Sequence, residues 1–359
     1  MIIFLNKHSA WGGVSNYYRT IKKYNINNYY YYDINHSLSE YGLVDMIKKY
    51  ILSISKYYHQ VRNGHIDAVV FNPSFSVQTL LRDAPYHLIS TFFCVKQIIF
   101  FRGWGESFAN KIDQNQIHKL LFIYFYRRRA EAFIVLSSEF KSKLREWNVT
   151  CPIYLETTIV DEEMMYEFNP TEKSFLPGRL LFLSRVENDK GILNALEAYL
   201  LLNQINNDIS FNIAGRGKAM NEVEKFKKKN QLDKCHISGY VNGKEKIECF
   251  KQANLFIFPS THGEGMPNSV LEAMAFGLPI ITTRVGGIPD FFEEGKMGLF
   301  LDNTNPQHIA DKIQYLLDRP ELMKEMSFYN YEYAKEHFYA SKVAKRLDKI
   351  IQDVIAEKS

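Results

Sequence analysis

The sequence predicts an α/β protein made of two doubly wound domains, each with a parallel sheet. Short β-rich apolar runs alternate with helix-patterned segments along the whole chain, as strands and crossover helices do in parallel sheets. The length of 359 residues suits two domains. A polar stretch over 161–178, with two prolines and a glycine, divides the runs into two series, and we interpret it as the linker.

Each series supplies the strands of one sheet. The first series predicts strands at 1–5, 29–34, 68–72, 98–102 and 132–136, and the second predicts strands at 179–184, 210–214, 236–238, 255–258, 279–283 and 298–301. Helical spacing fills most gaps, as in 191–202 and 221–230. We predict an N-terminal domain over 1–165, a second domain over 166–340, and an amphipathic helix over 341–359 that packs back on the first domain. Ligands are expected beyond the carboxyl ends of the strands.

Composition narrows the class of function. A net charge of +4 with 46% hydrophobic residues is ordinary for a globular protein and too mildly basic to indicate nucleic-acid binding. The four cysteines show no CxxC spacing, so we expect no disulfide framework or cysteine zinc site, and a reducing cytoplasm fits. Neither an Asp-x-Asp nor an HExxH motif occurs, so no metal or other cofactor is expected. We also expect no signal peptide and no membrane span, which leaves a cytoplasmic or at most peripheral protein.

The most informative segment is the loop and helix over 262–277. A strand ends near Phe258, a glycine-rich loop follows, and Pro267 suits the first turn of a helix that Gly277 ends. The start of such a helix offers free N–H groups to a phosphate. Glu264 precedes the helix and Glu272 lies within an otherwise apolar run, where a carboxylate requires a partner. The two glutamates either bracket an elongated ligand or are solvated side chains near a turn.

This segment, G-E-G-M-P-N-S-V-L-E-A-M-A-F-G-L-P, resembles the E-x7-E motif of glycosyltransferase family 4, the group 1 transferases with the GT-B fold. The resemblance implies two Rossmann-like domains that face each other across a cleft. It also implies that Glu264 contacts the donor sugar and Glu272 the ribose hydroxyls. The intervening residues would hold sugar and phosphate oxygens, and they are Gly265, Met266, Pro267, Asn268, Ser269, Val270 and Leu271.

A second signal follows the predicted strand at 179–184. Arg185 leaves the strand at its carboxyl end and Lys190 opens the next helix, so two cations could neutralise a diphosphate. The alternative is a pair of surface charges beside Glu187 and Asp189. The segment resembles the family's G-R-x4-K-G element, with Ser184 in place of the glycine.

Two further turns lie in the second half. Gly215 lies in an A-G-R-G turn after a strand, where Met220 replaces the third glycine of a dinucleotide fingerprint, so a dehydrogenase interpretation is weak. The turn resembles the family's A-G-x-G element. The segment that ends at Val241 resembles the turn beside the nucleotide base, although a purely structural loop is an alternative. Asp290, in a segment similar to G-G-x-x-E, is left unassigned.

The first half carries weaker signals. Gly12 and Gly13 follow the first strand and open a helix; they are either a tight turn or, by the resemblance, a loop against the donor phosphates. Many family members have an active-site histidine where this chain has none between His87 and His118, so Arg102 is the substitute we consider, with a structural turn as the alternative. Ser138 is either a helix N-cap or a ligand contact.

A basic triplet at 127–129 follows a strongly apolar, aromatic segment. The plain interpretation is a buried helix that ends in cations matching its dipole. The alternative is a basic, aromatic surface for an anionic membrane or a lipid-pyrophosphate acceptor.

Taken with the resemblance, these signals predict a retaining, metal-independent glycosyltransferase. It would move a sugar from a nucleotide-sugar, such as a UDP- or GDP-sugar, to a glycan or lipid-linked acceptor in bacterial surface polysaccharide biosynthesis. The donor phosphate would take the acceptor proton, while Arg185, Lys190 and the helix N-terminus stabilise the leaving diphosphate. One alternative is a nucleotide-sugar epimerase of the same architecture. Another is a non-catalytic nucleotide-sugar-binding partner of a transferase.

Overall fold

The computed structural model describes residues 1–6, 13–24, 27, 29–34, 43–261, 263 and 265–357. The chain forms two compact units. The first unit contains the described residues of 1–158, 264–266 and 340–359, and the second contains those of 159–263 and 267–339. Each unit has its own hydrophobic core.

The first unit is built on a six-stranded sheet in which every neighbouring pair is parallel. The strands are β1 (Ile2–Asn6), β2 (Tyr29–Asp33), β3 (Ala68–Phe71), β4 (Lys96–Phe100), β5 (Ala132–Val135) and β6 (Ile153–Leu155), and their order is β2-β1-β3-β4-β5-β6. All residues of β3 and β5 are buried, as expected for strands covered on both faces. The strand order reverses at β1 and β3, which makes this sheet doubly wound.

The helices of the first unit connect these strands. They are α1 (Gly13–Ile21), α2 (Leu43–Asn63), α3 (Val77–Phe92), α4 (Glu106–Gln114), α5 (Gln116–Phe122) and α6 (Ser138–Glu146). A π-helical turn over Ile123–Arg127 continues directly from α5. The N-cap of α6 is Ser137, whose hydroxyl accepts from the Phe140 N–H at 3.1 Å, so the expectation that Ser138 caps the helix is wrong by one residue.

The second unit repeats the architecture with a different strand order. Its parallel strands are β7 (Arg179–Leu183), β8 (Ser210–Ala214), β9 (Cys235–Gly239), β10 (Leu255–Phe258), β11 (Ile280–Thr283) and β12 (Gly298–Leu301), in the order β12-β11-β10-β7-β8-β9. The helices are α7 (Ile192–Ile205), α8 (Met220–Lys229), α9 (Gly243–Gln252), α10 (Asn268–Ala275), α11 (Pro306–Leu317) and α12 (Pro320–His337). The order reverses between β7 and β10.

The last helix, α13 (Ala340–Ala356), belongs to the first unit. Val343, Leu347 and Ile351 form its buried stripe, as the helical spacing predicts. The Arg346 Nε and Nη2 atoms donate to the buried carboxylate of Glu156 at 2.6–3.2 Å. This ion pair ties the helix to the segment that follows β6.

The predicted fold class of two doubly wound α/β units is confirmed, and the errors are local. The strand expected at 98–102 is β4 and begins two residues earlier. The three-residue strand β6 was missed. The expected linker contains two short 3-10 turns, at Glu162–Met165 and Pro170–Glu172. None of the helices in the described ranges combines the length and apolarity needed to cross a membrane.

Candidate functional site

The carboxyl edge of the second sheet is where this fold positions a ligand. Strands β7 and β10 are neighbours, but the connection after β7 leads toward β8 and the one after β10 leads toward β11. The two loops, 184–191 and 259–267, therefore diverge from one point of the sheet. In open α/β sheets such a reversal point opens a crevice that binds ligands.

Backbone contacts hold the two loops together. The Thr261 N–H donates to the Asp189 carbonyl at 2.9 Å. Gly191 has a φ of +72°, and a Cβ there would lie 2.1 Å from the Pro259 carbonyl oxygen. Only glycine fits this close approach, which fixes the start of α7 against the loop after β10.

Close packing requires the two glycines of the A-G-R-G turn after β8. A Cβ on Gly215 would lie 1.8 Å from the Ser184 carbonyl, and one on Gly217 would lie 2.1 Å from the Val186 carbonyl. The Val186 N–H also donates to the Arg216 carbonyl at 3.0 Å. The turn is thus packed directly on the loop that carries Arg185.

Helix α10 begins at Asn268, one residue later than expected, and Pro267 is its N-cap. Within the described part of the chain no side chain caps its first turn. The Asn268 Oδ1 atom is buried and has no hydrogen-bond partner among the described residues. The free N–H groups and the dipole of an uncapped helix start favour an anion. The Asn268 Oδ1 is an acceptor and would instead pair with a ligand group that donates, such as a hydroxyl.

Glu272 has the partner that its burial requires. Its Oε1 lies 2.6 Å from the Lys246 ammonium, and the side chains of Glu272 and Lys246 are 7% and 22% exposed. Lys246 lies on α9, so the pair joins α9 to α10. The carboxylate is one turn from the start of α10, about 6 Å along the axis at 1.5 Å per residue.

The two predicted cations have different surroundings. Arg185 is 60% exposed, and its Nη1 lies 2.8 Å from a Glu187 carboxylate oxygen. Lys190 is buried in the turn that precedes α7. Arg185 therefore matches the alternative of a paired surface charge, whereas Lys190 is held within the loop that contacts the residues after β10.

A cavity of about 480 Å³ opens where β8 and β9 end. Its lining includes the apolar side chains of Met220 and Ile237 and the backbone of Gly217 and Gly239. Arg216, Glu224 and Ser238 also line the cavity, so its apolar side chains lie beside charged and hydroxyl groups, a mixture that suits a heterocycle with polar edges. Val241 lies two residues beyond β9 and is half-buried.

In the first unit, α1 begins at Gly13. The Arg102 guanidinium stacks on the Tyr17 ring with its Cζ 3.3 Å from the ring centroid. Its Nη1 is buried with no hydrogen-bond partner among the described residues. Arg102 thus presents a cation beyond the carboxyl end of β4, stabilised by an aromatic face.

His87 belongs to the core and to no site. Its ring stacks on Phe71 with centroids 3.7 Å apart, and its Nδ1 lies 2.8 Å from the Gln97 Oε1. Burial lowers the pKa of His87 to about 3. The hydrogen bond from the His87 Nδ1 to the Gln97 Oε1 opposes this shift in pKa, and the Arg129 charge adds a smaller lowering. The ring is therefore neutral at physiological pH.

The structure brings several predicted residues of the second unit into one region, whereas Gly265 and Met266 are grouped with the first unit. Arg185, Lys190 and Gly215 lie on loops that contact one another or the residues after β10. Met266 and Pro267 are buried directly before α10, Gly265 precedes them, and the helix carries Asn268, Ser269, Val270, Leu271 and Glu272. Glu264 and Gly12 lie outside the described residues. Lys246 was missed, because no sequence signal distinguishes it from the other lysines of α9.

A protein-family model matches the part of the chain that forms most of the second unit. The model described as "Glycosyl transferases group 1" matches residues 170–337, which span the whole second sheet and helices α7–α12.

Relatives of this chain are also named as glycosyltransferases. An uncharacterized glycosyltransferase of Methanocaldococcus jannaschii is 26% identical over 225 residues, 63% of this chain and 60% of the relative. The capsular polysaccharide biosynthesis glycosyltransferase CapM of Staphylococcus aureus is 24% identical over 162 residues, 45% of this chain and 42% of CapM. The chain thus matches only about half of the length of these relatives.

A solved structure matches over nearly the full length. The crystal structure of HepE from Anabaena, in complex with UDP and glucose, has a TM-score of 0.73 with 12% identity and covers 98% of this chain and 99% of HepE. At this identity the match shows the fold, which is GT-B.

Proposed function

Because residues 170–337 match the model of the group 1 glycosyl transferases, we propose that the chain belongs to this family and transfers a sugar from a nucleotide-sugar donor to a glycan or lipid-linked acceptor. The observation that carries the proposal is helix α10. Its first turn is uncapped, and one turn later a buried carboxylate is held by Lys246. The helix start suits the diphosphate of a nucleoside diphosphate, and the buried carboxylate suits its ribose.

The donor would bind with its diphosphate at the start of α10. The free N–H groups and the positive end of the dipole would face the phosphate oxygens. The ribose would lie about 6 Å farther along, where Glu272 accepts from its hydroxyls. The base would enter the cavity between Met220 and Ile237.

In the transfer step the bond between the anomeric carbon and the phosphate oxygen breaks, and an acceptor hydroxyl attacks the anomeric carbon. We propose retention of configuration, with a donor phosphate oxygen taking the acceptor proton. The helix start, Arg185 and Lys190 would stabilise the charge that develops on the leaving diphosphate. Glu264, which the family resemblance assigns to the sugar, would orient the anomeric carbon.

Arg185 can act in this way only if it leaves Glu187, so the two residues provide a matched pair of variants. Arg185→Ala removes a charge-assisted contact and should weaken nucleoside-diphosphate binding about tenfold or more. Glu187→Gln frees the guanidinium and should leave that affinity unchanged or raise it. Calorimetric titration of both variants checks this, and equal losses would remove Arg185 from the diphosphate site.

We also propose that transfer needs no divalent metal, because cations and a helix terminus would neutralise the diphosphate. Transfer should continue in excess EDTA. Loss of transfer in EDTA with recovery on adding Mn²⁺ or Mg²⁺ would contradict this assignment.

The donor and the cellular role are proposed from the relatives. HepE binds UDP and glucose, and CapM is named for capsular polysaccharide biosynthesis. UDP-sugars are therefore the first donors to test, and surface polysaccharide assembly on the cytoplasmic side of the membrane is the proposed setting.

A thermal-shift screen with UDP-, GDP-, ADP- and dTDP-sugars identifies the donor, since a ligand that binds the folded state raises its stability. The donor is then incubated with and without candidate acceptors while release of the nucleoside diphosphate is measured. Transfer or slow hydrolysis supports a transferase. Isomerisation of the donor sugar would instead indicate an epimerase, and binding without turnover would indicate a non-catalytic partner.

A further inference from the structure

Helix α2 exposes an apolar stripe on the side opposite the one it buries. Ser53, Tyr57 and Val61 are buried toward the core. The large hydrophobic residues that are exposed on α2 are Val44, Ile47, Ile51 and Leu52, with 64, 46, 59 and 58% exposure. The spacing of 44, 47 and 51 places three of them on one side of the helix.

Two neighbouring elements continue this feature. Helix α3 exposes Leu81, Leu88 and Phe92. Helix α5 and its π-helical continuation expose Ile117, Leu120 and Tyr124. Phe92 is 76% exposed. Each set again follows helical spacing, at 81, 88 and 92 and at 117, 120 and 124.

The three elements lie side by side over one face of the first sheet. The Tyr50 hydroxyl of α2 donates to the Arg82 carbonyl of α3 at 2.7 Å. The His87 ring of α3 lies 5.5 Å from the Tyr126 ring of the π-helical turn. Their inward residues, including Tyr57 and Phe122, share one core. We call the outward side of α2, α3 and the α5–π-helix segment the outer helical face.

These segments carry mostly positive charge. Residues 43–63, 77–92 and 116–129 contain nine lysines and arginines and two aspartates. One aspartate, Asp83, is buried and paired with Arg82 at 2.6 Å. Lys48, Lys56 and Arg128 are exposed among the apolar stripes, and Arg129 stacks 4.2 Å from the Tyr124 ring. The outer helical face therefore combines apolar area with positive charge.

This combination favours a lipid surface over a protein partner. Protein interfaces are depleted of lysine at their centres, whereas helices that lie on membranes combine large apolar side chains with lysine and arginine. Exposed apolar area beyond isolated side chains marks an interaction site on a protein surface. The positive charge selects an anionic headgroup.

We propose that the outer helical face lies on an anionic bilayer, with the apolar stripes at the headgroup boundary and the cations among the headgroups. The basic triplet considered in the sequence is one edge of this surface. The proposal deepens the proposed function, on which it rests only for the idea that a lipid-linked acceptor is reached at the membrane. Binding itself requires neither donor nor acceptor.

The test uses the full chain and vesicles of phosphatidylcholine with or without phosphatidylglycerol. The wild type should sediment with the anionic vesicles at low salt, be released as salt rises, and bind the neutral vesicles much more weakly. The variant Ile51→Ser/Phe92→Ser/Ile117→Ser should lose about tenfold or more of this binding. Because the three residues are exposed, its melting temperature should stay unchanged.

Matched controls come from the second unit. Ile205→Ser/Phe328→Ser removes exposed apolar residues from α7 and α12, and should leave vesicle binding unchanged. Lys48→Gln/Lys56→Gln/Arg128→Gln should reduce the binding, whereas Lys225→Gln/Lys228→Gln/Lys229→Gln on α8 should not.

Three results would overturn the proposal. The first is that the wild type does not bind anionic vesicles at low salt. The second is that the test and control variants lose equal amounts of vesicle binding. The third is that the wild type is a dimer that binds no vesicles and that Ile51→Ser/Phe92→Ser/Ile117→Ser dissociates, as measured by sedimentation. A failure to bind any nucleotide-sugar would count against the proposed function alone, because vesicle binding is measured without a donor.

Discussion

The helices that cover the two sheets differ most on the sides that face away from them. In the first unit, ten large hydrophobic residues are exposed in stripes among the described side chains of α2, α3 and the α5–π-helix segment. In the second unit, helices α7–α12 carry three, Ile205, Tyr315 and Phe328, on three different helices. Packing on a sheet dictates only the inner face of a helix, so this contrast on the outer faces is the basis of the proposal that the outer helical face contacts a membrane.

The inner faces differ as well. The core of the first unit contains a network of hydroxyl and imidazole groups, in which Tyr57 bonds Ser90 at 2.7 Å and His87 bonds Gln97 at 2.8 Å. The core of the second unit is mainly aliphatic, and its buried Tyr199 donates to the Ile209 carbonyl at 3.1 Å. Stability of the first unit should therefore depend more on protonation and hydrogen bonding, and stability of the second more on packing.

The largest effect should come from the ion pair between α13 and the segment after β6. Arg346→Met leaves the Glu156 carboxylate, which is 2% exposed, without its cation. Stranding a buried charge costs about 3–5 kcal/mol. Hydrogen exchange should show this loss at amides of the first unit, with nucleotide affinity unchanged. Lys345→Met, an exposed neighbour, is the control, and a similar loss there would contradict the reason given.

Acid should destabilise the first unit through His87. Its folded-state pKa of about 3 lies below the ordinary value of 6.5, so the unfolded chain binds a proton that the folded chain does not. The stabilisation is complete above pH 6.5 and is lost as the pH falls toward 3. At 1.36 kcal/mol per pH unit, the loss at pH 5 is about 2 kcal/mol.

Urea unfolding at pH 7 and pH 5, followed by hydrogen exchange, checks this effect of acid. His87→Gln should show a smaller loss between the two pH values than the wild type, even if it is less stable at pH 7. Equal pH dependence in the two proteins would contradict the role given to His87.

The buried pair of the second unit should matter for binding. Lys246→Met removes the ammonium that holds the buried Glu272 carboxylate in place, so the carboxylate can turn away from the position in which it would accept the ribose hydroxyls. We expect about tenfold weaker nucleoside-diphosphate binding by calorimetry. Lys246→Arg should restore much of the affinity, and the exposed control Lys244→Met should change nothing. If Lys246→Met binds as the wild type does, Lys246 has no positioning role.

The smallest loss of stability should come from removing single tyrosine hydroxyls. Tyr57→Phe removes one hydrogen bond, but the Ser90 hydroxyl keeps its bond to the Tyr86 carbonyl at 2.8 Å. The expected loss is about 1 kcal/mol. Tyr199→Phe in the second unit should cost a similar amount, measured by urea unfolding. A much larger loss for Tyr57→Phe would indicate that the hydroxyl network is cooperative.

The errors of sequence interpretation have physical reasons. The strand β6 was missed because Ile153–Leu155 is too short for a periodic pattern, and its pairing with β5 defines it. The cap of α6 was misplaced because Ser137 and Ser138 are equivalent in sequence, and the backbone of Ser137 alone is extended. Lys246 could not be singled out, because its role depends on the approach of α9 to α10.

The sequence by itself determined the fold class, most of the strands and the stop of α10 at Gly277, whose φ is +61°. These features follow from local periodicity and from backbone conformations that few residues adopt. Tertiary structure alone decided that Lys246 pairs with Glu272 and that His87 is buried and neutral. It also decided which side of α2 faces outward. Each of these depends on which elements pack together, and distant segments of a chain carry no local signal of that contact.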